Sequence, residues 1–100
     1  MTSNYSYPIH DGWNDDEIAT VISFLNAVEA AYEGGVDRQQ VLTRYKAFKQ
    51  IVNSKAEEKT VGREFEKSSG YSLYQVVKRA KNSEEKRLKM PKEGHKRGRY

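Results

Sequence analysis

His10 and His95 are the two histidines among the 100 residues, and histidine is the side chain that ordinarily titrates near neutral pH. A general base must be held rigidly beside its partner. His10, next to Asp11, precedes the first helical pattern, and His95 lies in a run of Pro, Gly and basic residues. Neither setting predicts a preorganised base. Asp11, Asp15, Asp16 and Glu17 form an acidic cluster. It lacks the alternating oxygen ligands, central Gly and distant Glu of a calcium loop, and helix capping explains the same residues. No metal is expected there.

Ser54-Lys55-Ala56-Glu57-Glu58-Lys59 places Lys directly after Ser, not three residues on, so it does not predict a lysine-activated serine. It reads as a helix cap followed by a charged turn. Lys55 and Lys59 stand four apart near a helix start and are a candidate anion contact. Ser68-Ser69-Gly70-Tyr71-Ser72 joins two helical patterns and matches neither phosphate-binding glycine motif. A C-cap glycine followed by an N-cap serine accounts for it.

The basic C-terminal region carries the clearest functional signal. Lys78, Arg79, Lys81, Lys86, Arg87 and Lys89 lead into Lys92, Lys96, Arg97 and Arg99. Helical spacing puts Tyr74, Lys78 and Lys81 on one outward face, an aromatic ring beside cations. Such a face could hold phosphates while the ring stacks on a base. The candidate polyanion surface is therefore Tyr74, Lys78, Arg79, Lys81, Lys86 and Arg87. No RNA-recognition, helix-turn-helix or zinc-finger signature accompanies it.

These residues must be positioned by helices. Asn14 with Glu17 forms a capping-box pattern, and Ile18, Val21, Ile22, Leu25, Val28 and Tyr32 follow at helical spacing until Gly34 and Gly35. Trp13 precedes this cap as a hydrophobic staple toward Ile18. Asp37, with Gln40, is expected to cap a second helix carrying Val41, Leu42, Tyr45, Phe48, Ile51 and Val52. Ser54 with Glu57 opens a third, whose apolar face is thin: Val61 and Phe65, with Ala56 and Gly62 as small neighbours. Ser72 with Gln75 opens a fourth, with Leu73, Val76, Val77 and Ala80 inward. The core-facing part of this last helix is expected to end near Lys81 and the rest to fray.

The expected fold is all-α, a small four-helix bundle-like domain over residues 1–89, with helices near 15–33, 38–52, 55–69 and 73–85. No segment reads as a strand. Residues 90–100 read as a flexible basic tail, and Tyr5 to Trp13 as an extended segment across the bundle.

Composition narrows the function. The chain has no cysteine, which removes disulfides, thiolate nucleophiles and Cys-ligated metals. No leader pattern or membrane-spanning run is visible, so the expected location is the cytoplasm. The net charge of +4 is unevenly spread: residues 1–37 hold seven acids and no Lys or Arg, and residues 78–100 hold ten bases against three acids. Opposed potentials on one small body suit it to charged partners.

Tyr5-Ser6-Tyr7-Pro8-Ile9, Trp13 through Ile18, Ser54 through Lys59 and Ser69-Gly70-Tyr71-Ser72 together resemble the YktA-like family, an uncharacterised (UPF) family of small proteins from low-GC Gram-positive bacteria. The resemblance covers roughly residues 4–89 and implies a closed bundle of four helices; it implies no activity.

The sequence thus points to a non-enzymatic binding or adaptor module that acts through helix surfaces on a protein partner or on itself. The alternative is an RNA- or DNA-associated protein using the basic fourth helix and tail. No cofactor, membrane or small-molecule substrate is expected.

Overall fold

A computed structural model describes His10 and residues 12–91. Its elements, in chain order, are α1 (Asp15–Glu33), β1 (Val36–Asp37), α2 (Arg38–Ile51), α3 (Lys55–Ser69), α4 (Leu73–Asn82) and β2 (Arg87–Leu88). The helical bundle is the one expected. The two short strands are not, and they change the account of the C-terminal end.

Each helix starts where side-chain chemistry places it, with one exception. Asn14 accepts from the Glu17 N–H at 2.8 Å, and Glu17 reaches back to the Asn14 N–H at 3.0 Å, a complete capping box. Ser54 and Ser72 likewise accept from the backbone N–H groups of Glu57 and Gln75. Such caps contribute about 1 kcal/mol each. Asp37 is the exception: it occupies the N-cap of α2 but makes no side-chain cap bond. It lies in β1, and the Arg38 N–H donates instead to the Lys86 carbonyl at 2.8 Å. The β1–β2 pair thus takes up the Arg38 N–H, one of the free donors at the start of α2, and the Asp37 side chain caps none of the others.

Gly34 caps α1, and Gly70, at φ 84°, gives α3 a left-handed end. Gly35 has a second reason to be glycine. At φ 115° it is strained for other residues, and an added Cβ would sit 2.8 Å from Arg87 Nε.

The core is assembled from the expected stripes. Phe24, Phe48 and Phe65 are fully buried, with Val21, Leu25, Val28, Val41, Val61 and Val76 around them. The Phe24 and Phe48 rings lie 4.7 Å apart, and Phe24 also meets Tyr45 at 5.4 Å. Each such side chain stabilises the fold by roughly 1.5–3 kcal/mol relative to exposure. No polar or charged residue is buried among the described residues. Tyr32 stacks on Tyr71 at 4.5 Å and 7°, which ties the end of α1 to the α3–α4 loop. α3 packs on the bundle chiefly through α4, as its thin apolar face dictates.

The C-terminal end departs from expectation. α4 stops at Asn82 rather than running to about residue 85. Arg38 Nε donates to the Ser83 carbonyl at 2.8 Å, placing a cation at the helix C-terminus, where the dipole favours it. The chain then turns back, and β2 pairs antiparallel with β1, Val36 opposite Leu88. Leu88 is 2% exposed and Met90 is 7% exposed, and the Met90 N–H donates to the Ala31 carbonyl at 2.7 Å. The expected fraying extension is therefore a strap that closes the core, and Met90 belongs to the packed body rather than to a tail. The remaining tail, residues 92–100 with His95, lies outside the described residues, as do Tyr5 to Ile9 and Asp11.

Trp13 packs against the core, partly buried, and its indole stacks on the His10 ring at 4.7 Å. His10 is held between two carboxylates of α3, with Nδ1 3.2 Å from Glu57 and Nε2 3.6 Å from Glu64. The histidine fastens the segment before α1 to α3.

Candidate functional site

The α3 face opposite His10 carries Lys55, Lys59, Gly62, Arg63 and Glu66, and it looks across an open groove to Tyr74, Lys78 and Lys81 on α4. Leu73, Val77 and Gly62 contribute apolar surface to this groove, and Tyr45 and Lys49 of α2 complete one end. Its volume is about 1060 Å³. The groove exists because α3 has little apolar surface with which to close on its neighbours. Gly62 lines it without a side chain, and a Cβ there would meet the nearest Leu73 carbon at an ordinary 3.6 Å.

Six cations line the groove, Lys49, Lys55, Lys59, Arg63, Lys78 and Lys81, against two carboxylates, Glu58 and Glu66. Glu58 is already engaged. It accepts from Lys49 Nζ at 2.6 Å and from the Tyr45 hydroxyl at 2.9 Å. Burial alone would raise the Glu58 pKa, but these two hydrogen bonds and the charges of Lys49 and Lys55 outweigh it and hold the carboxyl below its ordinary value. The partner effect falls on Tyr45, pushed up to about 12 by burial and by the Glu58 carboxylate that its hydroxyl must face. Lys49 is the only one of the six cations in an ion pair among the described residues. The other five present charge to solvent in the groove, which gives it a positive potential.

Two aromatic rings sit among these cations. The Tyr45 ring has Lys81 Nζ at 5.4 Å and Lys49 Nζ at 6.0 Å from its centroid. The Tyr74 ring has Lys78 Nζ at 6.0 Å. Tyr74 is 65% exposed, the one large hydrophobic side chain exposed among the described residues.

The structure thus joins the first candidate read from the sequence to part of the second and divides the second. Lys55 and Lys59, read as an anion contact, and Tyr74, Lys78 and Lys81, read as a polyanion surface, line one groove. Arg79 and Arg87 do not: they line a separate, smaller recess with Ser83 and Lys89. Lys86 is exposed and lines neither, its carbonyl committed to Arg38. Arg79 is set apart by helix phase, five residues on from Tyr74 and so on another face of α4, while Lys86 and Arg87 are set apart by the end of α4 at Asn82. Tyr45, Lys49 and Arg63 were not foreseen as groove residues. One signal was available: Tyr45 and Lys49 are four apart on α2, so a tyrosine placed in the apolar stripe had a cation beside its polar tip.

A family model described as "Uncharacterised protein family (UPF0223)" matches residues 4–89. The chain belongs to UPF0223. A UPF0223 protein of Streptococcus gordonii is 54% identical over 92 residues, 92% of this chain and all of the relative. One of Streptococcus uberis is 55% identical over 84 residues, covering 84% of this chain and 91% of the relative. One of Streptococcus pneumoniae serotype 19F is 51% identical over 92 residues, again its full length. The resemblance read from the four motifs, to an uncharacterised family of small proteins from low-GC Gram-positive bacteria, agrees with this match over the same residues 4–89. These UPF0223 relatives come from low-GC Gram-positive bacteria, and their names assign them no activity. The matched span takes in all four helices and β2, and so the whole groove. No helix among the described residues is long and apolar enough to cross a membrane.

Proposed function

We propose that this protein is a cytoplasmic, non-enzymatic binding module whose working surface is the α3–α4 groove, and that its partner is a polyanion. The observation that carries this reading is the convergence of Lys55 and Lys59 from one helix with Tyr74, Lys78 and Lys81 from another on a single concave face. Cations gathered in a concavity raise the local concentration of an anionic partner. The groove's engaged carboxylate argues for binding over catalysis. Glu58 is held ionised by Lys49 and Tyr45, which suits it to ordering the groove and not to exchanging protons near neutrality. His10 is spent on Glu57 and Glu64, on the other side of α3.

Charge reversal at matched positions tests this. Lys59→Glu with Lys78→Glu removes groove charge, and Lys86→Glu with Lys89→Glu removes the same net charge outside it. Binding of heparin as a generic polyanion should collapse in the first pair and persist in the second. Equal losses in both pairs would show that net charge, not the groove, is responsible.

A further inference from the structure

We propose that the polyanion held in this groove is single-stranded nucleic acid, with the lysines of α3 and α4 on phosphates and an unpaired base stacked on Tyr74. The proposal rests on the groove's being a polyanion site and adds the class of ligand.

Three observations favour a single strand. First, Tyr74 is 65% exposed although it lies on α4 between the buried Leu73 and Val76. The helix phase directs this ring outward, away from the apolar stripe, and into the groove. A large exposed ring beside a cation is the arrangement by which proteins hold bases without reading their sequence: the ring stacks on the base, and the cation meets the phosphate. Second, the groove draws cations from both helices, and Leu73 and Val77 also line it. Lys55 and Lys59 stand one turn apart on α3, and Lys78 and Lys81 one turn apart on α4. A strand running between the two helices can neutralise phosphates on both sides. Third, the groove is open, and its volume of about 1060 Å³ is at the upper limit of compact small-ligand pockets. It suits part of an extended chain.

The same features disfavour two other polyanions. A duplex keeps its bases paired and stacked on one another, which leaves Tyr74 nothing to stack on. An acidic peptide would satisfy the lysines but offers the ring no planar partner.

The test uses the full chain and three labelled probes at low salt: a short single-stranded oligoribonucleotide of mixed sequence, the duplex of the same sequence, and polyglutamate. The single strand should bind tightest, with affinity falling steeply as salt rises. Tyr74→Ala should weaken the single strand by roughly 5- to 150-fold, the range that one base–aromatic stack supplies, and should leave the other two probes unchanged. Tyr74→Phe should bind like the parent protein, because stacking needs the ring and not the hydroxyl. Position 74 is exposed, so both variants should keep the parent's circular dichroism and melting temperature. If the duplex or polyglutamate binds as well as the single strand, or if Tyr74→Ala binds the single strand normally, the nucleic-acid assignment is wrong and the polyanion reading stands. If none of the three probes binds, both are wrong.

Discussion

The Tyr45 hydroxyl donates to Glu58 at 2.9 Å, joining α2 to α3 at one end of the groove. With Lys49 on the other carboxylate oxygen at 2.6 Å, the pair fixes a negative charge where the lining is otherwise mostly positive. Its protonation states have opposite consequences at the two ends of the pH scale. The Glu58 pKa is lower in the folded protein than the ordinary 4.5, so its contribution is present above that value and is lost as pH falls through the folded pKa. The urea midpoint should therefore drop on acidification below about pH 4.5, and Glu58→Gln should make that drop shallower.

At the alkaline end the sign reverses. Tyr45 keeps its proton to about 12, whereas the unfolded chain gives it up near 10.0, so stability should fall as pH rises between those values. Tyrosinate absorbance should show a late-titrating component that Tyr45→Phe diminishes. Tyr32, raised chiefly by burial, should contribute what remains of it.

Neutralising Glu58 should also strengthen binding. Glu58→Gln removes one of the two carboxylates in the groove and releases Lys49 from its ion pair. Affinity for a polyanion at low salt should rise by roughly fivefold, the scale of one contact-distance charge interaction of about 1 kcal/mol in water. Fluorescence anisotropy against the parent protein measures this directly.

The C-terminal strap should be a major stabilising element. Leu88 is 2% exposed, and Met90 adds a buried side chain and a backbone hydrogen bond to α1. Leu88→Ala should cost about 2–4 kcal/mol in denaturant unfolding. A chain ending at Lys86 should be less stable still, whereas one ending at Pro91 keeps all of these contacts.

Gly62 should tolerate alanine and gain from it. Its φ is ordinary for a helix, and an added Cβ would make ordinary contacts with Leu73 at 3.6–3.9 Å. Gly62→Ala should stabilise the fold by up to about 1 kcal/mol through helix propensity alone. Because the methyl would point toward the groove, its effect on binding, measured beside the melting temperature, reports how closely a ligand approaches Gly62.

The helices were legible because their signals are local. Asn14, Ser54 and Ser72 announce helix starts, Gly34 and Gly70 announce ends, and the stripes carry the 3.6-residue period. What the sequence hid was long-range. Leu88 continues the phase of α4, so periodicity placed it on a frayed helix, while the structure sends it back to pair with Val36. A two-residue strand has too few residues to show alternation. The same distance problem affected the site: Lys55 and Lys59 lie far in sequence from Tyr74 and Lys78, and only the packing of α3 beside α4 makes them neighbours. Lys86 and Arg87 looked like part of that surface only as long as α4 was taken to run on, and Arg79, within α4, falls on a different face of it.

The most direct test of the groove as binding face is a backbone amide NMR titration of the full chain with a short single-stranded oligoribonucleotide at low salt. The largest shift changes should fall on Lys55, Lys59, Gly62, Tyr74, Lys78 and Lys81, with α1 and the Arg79–Arg87 recess nearly silent. Changes concentrated on that recess or on α1, with the groove residues unmoved, would contradict the account.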